Sequence, residues 1–274
     1  MLQIAKMKVL IAFSLVLSAV IAEAQPLVDD YPNTERPFQI GEKLELKISY
    51  GWFTIGRAYV NIPSDTIFEN APSYHVNVVG KTAGLLGFFN NTEDTFDAII
   101  DKETLKPYVA SQNFQENNKR DVQTNTFSYE QREVVVEKVD YEKQVTYKPK
   151  KYLLEENAFD ILSSYLYLRS IDFASLSKED SIMLKVFFGK KHWNFGIEYG
   201  GKETINSLIG KIKAHKFYIL FPVSSTFPEA KSVMVWTTQD ENQLPLKVKA
   251  KLRFGNVTCE LTDFSNLKIP YQKE

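Results

Sequence analysis

The sequence predicts a mainly β fold: a curved antiparallel sheet or barrel-like single domain over about residues 38–270, with one buried helix at about 158–170. Three observations predict it. Apolar and polar residues alternate with period two through run after run, the pattern of strands with one wet face. Aromatic residues make up 13% of the chain, which suits the half-buried faces of sheets. A single segment near residue 160 breaks the alternation with apolar residues at helical spacing.

The first element is a leader. Lys6 and Lys8 precede an uncharged apolar run from Val9 to Ile21, and Ala22-Glu23-Ala24 supplies an A-x-A cleavage site, the three parts of a secretory signal peptide. The competing reading, an uncleaved anchor, is weakened because a spanning helix needs roughly 20 apolar residues. No later segment is both that long and uncharged, so no transmembrane span is expected in the mature chain. Residues 1–24 are therefore read as a signal peptide and residues 25–37, with three prolines and no periodicity, as an extended leader. Export to the periplasm or outer envelope is the expected localisation. The lone cysteine, Cys259, lies far from the cleavage site, so neither a lipidated N-terminal cysteine nor an intramolecular disulfide is expected.

The fold is expected to begin near Phe38. From Glu42 to Tyr50, Leu44, Leu46, Ile48 and Tyr50 share one strand face, and Gly51 and Gly56 bracket a turn into a second strand, Arg57 to Ile62, which Pro63 closes. Alternating runs follow at 74–79, 92–100, 105–114, 122–129 and 132–147, separated by turn residues such as Asn117-Asn118 and Asp140, which together read as an antiparallel meander. Asn157 is the expected cap of the helix, which carries Phe159, Ile161, Leu162, Tyr165, Leu166 and Leu168. Apolar side chains cover most of its circumference, so burial on more than one side is predicted. Strands resume at 182–188, 192–199, 211–221, 233–238, 246–254 and 257–264. Cys259 shares a face with Val257 and Leu261, which reads as a buried thiol rather than a nucleophile. The runner-up architecture is two β subdomains joined by the helix.

GEKLELKISYGWFTIGRAYV, KTAGLLGFFNNTEDTFDAIIDKETLKP, FDILSSYLYLRS and VWTTQDENQLPLKVKAKLRFGNVTCEL, taken in order, are similar to the opening, the middle, the helix and the close of one bacterial family, domain of unknown function 3108. The resemblance spans about residues 38–265. It implies an exported β protein of Gram-negative bacteria and supplies no catalytic residue.

Composition and motifs exclude more than they assign. Removal of the leader takes away Lys6, Lys8 and Glu23 and leaves 31 basic and 33 acidic residues, a formal charge of −2, which gives no reason to expect nucleic acid. His75, His192 and His215 lack the paired spacing of a metal site, so no metal is expected, and no cofactor motif occurs. Nor is there a nucleophile elbow or a phosphate-cradling loop. The local carboxylate pairs Glu93/Asp94, Glu155/Glu156 and Asp240/Glu241 are sequence neighbours, whose side chains point to opposite faces of a strand. Asp240 reads as a hairpin residue. Arg57 and Arg169 are candidates to face the core. The least ordinary stretch is Thr82 to Asn90, TAGLLGFFN, read either as a buried bend or as an exposed apolar loop. In the second case Leu85, Leu86, Phe88 and Phe89 are the first choice for contact with a lipid, another hydrophobic ligand or an envelope protein. A non-catalytic binding or envelope-assembly protein with an apolar cavity or groove is the leading functional expectation, and a hydrolase of envelope glycan or peptide the alternative.

The leader makes the first testable statement. N-terminal sequencing of envelope-fraction protein should return Gln25 as the first residue. An intact Met1 or Met7 would show that the leader is not processed.

Overall fold

The computed structural model describes residues 35–84, 91–117, 119–220 and 229–271. Among these residues the chain forms one antiparallel meander, then a helix, then a second meander. The first is β1 (Lys43–Tyr50), β2 (Phe53–Phe68), β3 (Ala71–Thr82), β4 (Thr92–Asp101), β5 (Pro107–Glu116), β6 (Lys119–Ser128), β7 (Glu133–Asp140) and β8 (Val145–Leu153). The short β9 (Ala158–Phe159) and helix α1 (Ile161–Arg169) follow, with a single 3-10 turn at Phe173–Ser175. The second meander is β10 (Ser181–Phe188), β11 (Lys191–Ser207), β12 (Gly210–Leu220), β13 (Val233–Thr238), β14 (Pro245–Lys251) and β15 (Asn256–Ser265).

All fifteen strands belong to one sheet. It runs from β8 back through β1, crosses to β15, and runs back through β10 to β9. The sheet is not closed by hydrogen bonds, yet it is forced to roll. Its outermost strands, β8 and β9, are joined by residues 154–157 alone, a connection that reaches at most about 18 Å. Laid flat, fifteen strands at their usual spacing would be roughly 67 Å across. The two margins therefore meet. The Phe187 ring of β10 lies 6.0 Å from that of Phe127 in β6 and 6.1 Å from that of Tyr152 in β8. Gln123 Nε2 donates to the Gly189 carbonyl, and the Tyr129 hydroxyl to that of Ala158. The exposed margin strand β8 carries Lys148, Pro149, Lys150 and Lys151, which discourage pairing with a foreign strand.

The first three strands of the second meander closely match those of the first in length. Strands of 8, 17 and 11 residues in β10 to β12 answer strands of 8, 16 and 12 in β1 to β3, and β1 and β10 share one order of buried and half-buried positions. Inward side chains of both meanders, among them Leu44, Ile62, Ile100, Leu184 and Leu246, merge into one core.

Helix α1 sits inside the roll, packed against β4 and β10. No residue of it is exposed; Leu162 and Leu166 are fully buried. Its cap is Asp160 rather than Asn157. The Asp160 carboxylate accepts from the amides of Leu162 and Ser163, and Ser163 Oγ accepts from the Asp160 amide, which closes a capping box. Burial raises the Asp160 carboxyl above its ordinary range, against the lowering effect of those hydrogen bonds. Asn157 stands before β9 with φ +55°, so the three residues expected in the first turn belong to a strand and its exit.

Other expectations need correction at their boundaries. The first turn is only Gly51-Trp52, with Gly51 at φ +56°. Gly56 lies within β2, near a bulge in its pairing with β1, a position where glycine is favoured because the backbone bends. Pro63 does not close β2; it falls at a second bulge in the pairing with β3, where its missing N–H costs no ladder bond, and the strand continues to Phe68. The segment 132–147 is two strands, because the Asp140 carboxylate accepts from the Lys143 amide and turns the chain between β7 and β8.

Because Leu162 and Leu166 have no exposed surface, truncating either should be costly. Leu162→Ala and Leu166→Ala are each expected to lower stability by about 2–5 kcal/mol in urea denaturation. A loss below about 1 kcal/mol at both positions would place the helix on the surface.

Candidate functional site

Between α1 and the concave face of the sheet lies a cavity of about 240 Å³. Its wall is almost wholly aliphatic and aromatic. The first meander contributes Leu46, Ile48, Val60 and Phe96, and the second Phe195, Ile197, Ile219 and Val248. These positions are in phase along their strands, so the period-two alternation that makes each strand also makes the wall. Small residues, Ala58, Gly80, Ala250 and Cys259, leave the space. Burial pushes the Cys259 thiol up to about 12, which leaves it protonated and unreactive.

One end of the cavity is polar. Helix α1 ends there with Arg169, which is 3% exposed, against Glu42 at 1%. Arg169 Nη1 donates to Glu42 Oε1 at 2.5 Å, and Nη2 donates to Glu42 Oε2 at 3.2 Å. Nη1 also reaches the Tyr165 hydroxyl at 3.2 Å, and Nη2 the Asn242 carbonyl at 2.9 Å. Burial alone would lower the guanidinium pKa, but Tyr165 and Glu42 raise it, and the net direction is up. The Tyr165 hydroxyl is itself raised by burial. Nearby, His215 Nδ1 meets the Tyr199 hydroxyl at 2.9 Å, and burial lowers the imidazole pKa toward the neutral form.

Three buried polar atoms at this end have no hydrogen-bond partner: Arg169 Nε, Thr237 Oγ1 and Gln243 Oε1. All three residues line the cavity. Thr237 follows Val233 and Val235 on the inward face of β13, and Gln243 sits in the turn before β14, its amide donating to the Ile171 carbonyl. Unpaired buried polar groups are rare in folded proteins because each costs about 1–3 kcal/mol. Three of them lie around one apolar space.

Leu85, Leu86, Phe88 and Phe89 lie outside the described residues. Arg57 does not face the core; its side chain is on the surface and pairs with Glu45. Arg169 does face it. His75 pairs with Asp97, and His192 lies beside Glu155, so the three imidazoles stay apart; among the described residues no three metal-ligating groups converge. Asp240 is a turn residue, accepting from the Asn242 amide. Sequence reasoning missed Glu42, Thr237 and Gln243. The signal for Thr237 was available, since it is a polar residue in phase with two inward valines.

A family model described as "Protein of unknown function (DUF3108)" matches residues 45–262. Comparison with curated proteins finds no relative. Among solved structures, a beta-barrel-like protein of domain of unknown function DUF1849 from Brucella abortus aligns with a TM-score of 0.55 at 9% identity, covering 86% of this chain and 100% of that one. At that identity the likeness shows the fold alone. A candidate exported protein with a YmcC-like fold from Bacteroides fragilis covers 86% of this chain and 99% of its own at 10% identity, with a TM-score of 0.33. No described helix is long and apolar enough to cross a membrane, which leaves strands that cross one untested.

The buried pair at the helix end can be tested by a double-mutant cycle. Arg169→Met or Glu42→Leu alone strands one charge and should cost about 3–5 kcal/mol in urea denaturation. The double variant should lose clearly less than the two single losses combined; simple additivity would show that the pair is not coupled.

Proposed function

We propose that this chain, which belongs to the DUF3108 family, is an exported cell-envelope protein that holds a hydrophobic ligand between α1 and the concave face of its sheet. The observation that carries this reading is the cavity. Protein interiors pack as densely as organic crystals and hold few voids larger than a water molecule, and 240 Å³ walled by aliphatic side chains departs from that rule. Water gains little from such a wall, and an apolar ligand gains dispersion contacts with all of it. The volume lies slightly below the roughly 300–1,000 Å³ of ordinary ligand pockets, which favours a slender occupant such as one acyl chain. Export rests on the charged start, apolar run and A-x-A site of the leader.

Binding fits the lining better than catalysis does. The titratable groups among the described lining residues are Tyr165, Arg169 and Cys259. Arg169 is engaged by Glu42, and the thiol is held protonated. A hydrolase would need a nucleophile and base, or two facing carboxylates, directed into the same space.

Occupancy can be measured on protein purified from its own envelope, where native mass spectrometry should find a lipid-sized mass travelling with the chain. In parallel, Ala58→Phe and Ala250→Phe fill the cavity from opposite meanders. Each should weaken binding of the apolar dye N-phenyl-1-naphthylamine at least tenfold while leaving the Tm within a few degrees. Dye binding that ignores both substitutions would place the ligand elsewhere.

A further inference from the structure

We infer that the polar end of the cavity is a site for the neutral, hydroxyl-bearing head of a single-chain lipid, of which a monoacylglycerol is the simplest form. The inference rests on the cavity being a hydrophobic-ligand site and adds which end the head occupies and what chemistry it has.

The three unpartnered atoms define the head. Arg169 Nε–H is a donor, Thr237 Oγ1 donates and accepts, and Gln243 Oε1 only accepts. A matching group must supply at least one acceptor oxygen and one O–H. An ester carbonyl with a neighbouring hydroxyl does so. A carboxylate does not, because it has no proton for Gln243 Oε1.

Charge points the same way. Arg169 already faces Glu42 through two hydrogen bonds, and both side chains are buried, so the end of the cavity is neutral overall. An anionic head entering there would be desolvated without a free counter-charge and would lie near the Glu42 carboxylate. His215 supplies none, since it faces the Tyr199 hydroxyl and is held toward the neutral form.

Size sets the chain. At about 25–30 Å³ for each water- or methylene-sized group, the cavity holds on the order of 8 to 10 such groups. A glycerol head with the first methylenes of its chain fills that space, and the end of a dodecanoyl chain extends beyond it. Its tail would then run along the aliphatic wall, away from Arg169.

The test measures binding of 1-dodecanoylglycerol and of laurate at pH 8 to the mature protein, with N-phenyl-1-naphthylamine as an apolar control. The glycerol lipid should bind at least tenfold tighter than laurate. Thr237→Val should weaken the glycerol lipid about tenfold, as loss of one such hydrogen bond implies, and be rescued by Thr237→Ser. Laurate binding as tightly as the glycerol lipid would overturn the proposal, as would a Thr237→Val variant with unchanged affinity. If the dye binds and neither lipid does, the head assignment fails while the hydrophobic-ligand reading stands. If nothing binds, both fall. The comparison of lipids on the unsubstituted protein decides the question even if a variant does not fold.

Discussion

A guanidinium buried at the end of a helix holds this molecule in register. Arg169 joins three parts of the chain that are remote in sequence: Glu42 at the start of β1, Asn242 in the turn between β13 and β14, and its own helix through Tyr165. Its plane also lies over the Phe38 ring, 5.6 Å from the centroid, and so draws in the segment that precedes the sheet. Removing two ions from water costs several kcal/mol each, and that cost is offset only when geometry and hydrogen bonding are good. The pair therefore tolerates few positions of the helix relative to the sheet. The depth of α1 sets the size of the cavity beneath it.

The roll of the sheet follows from a different constraint. Fifteen strands side by side could lie open, but residues 154–157 tie one margin to the other. Closure then comes from packing rather than from backbone pairing: Phe127, Tyr152 and Phe187 meet across the seam. A seam of side chains leaves the radius of the roll to the residues inside it. Large side chains on the inward face would fill the interior, and the small ones at Ala58, Gly80, Ala250 and Cys259 leave a cavity instead. That cavity is bounded at one end by the polar cluster around Arg169. An apolar wall with one neutral polar end is the complement of an amphiphile with one chain.

How much of this was legible in the sequence depends on the range of the interaction concerned. Most strands announced themselves through alternation, and the helix through apolar residues that left no wet face, but β7 and β8 read as one run and β9 as the start of the helix. Errors fell where a local cue competed with pairing. Pro63 and Gly56 read as strand ends because each weakens a regular ladder, whereas bulges accommodate both inside β2. Asn157 read as a cap, and two residues of β9 intervene before Asp160 takes that role. The apolar stretch singled out from composition, Thr82 to Asn90, drew attention because it was conspicuous. The polar cluster at the cavity end is made of ordinary residues that are unusual only for where they meet.

What the sequence by itself determined is the class of the fold, the strand faces, the buried helix and thiol, and the expectation of export, because each is written in residues within a few positions of one another. Period two and helical spacing are local physics. Only the tertiary structure decided that Glu42, Arg169, Thr237 and Gln243 share one end of one cavity. Their meeting requires the sheet to roll until its margins touch and the helix to lie at one depth inside it, and no alternation along a single strand carries that information.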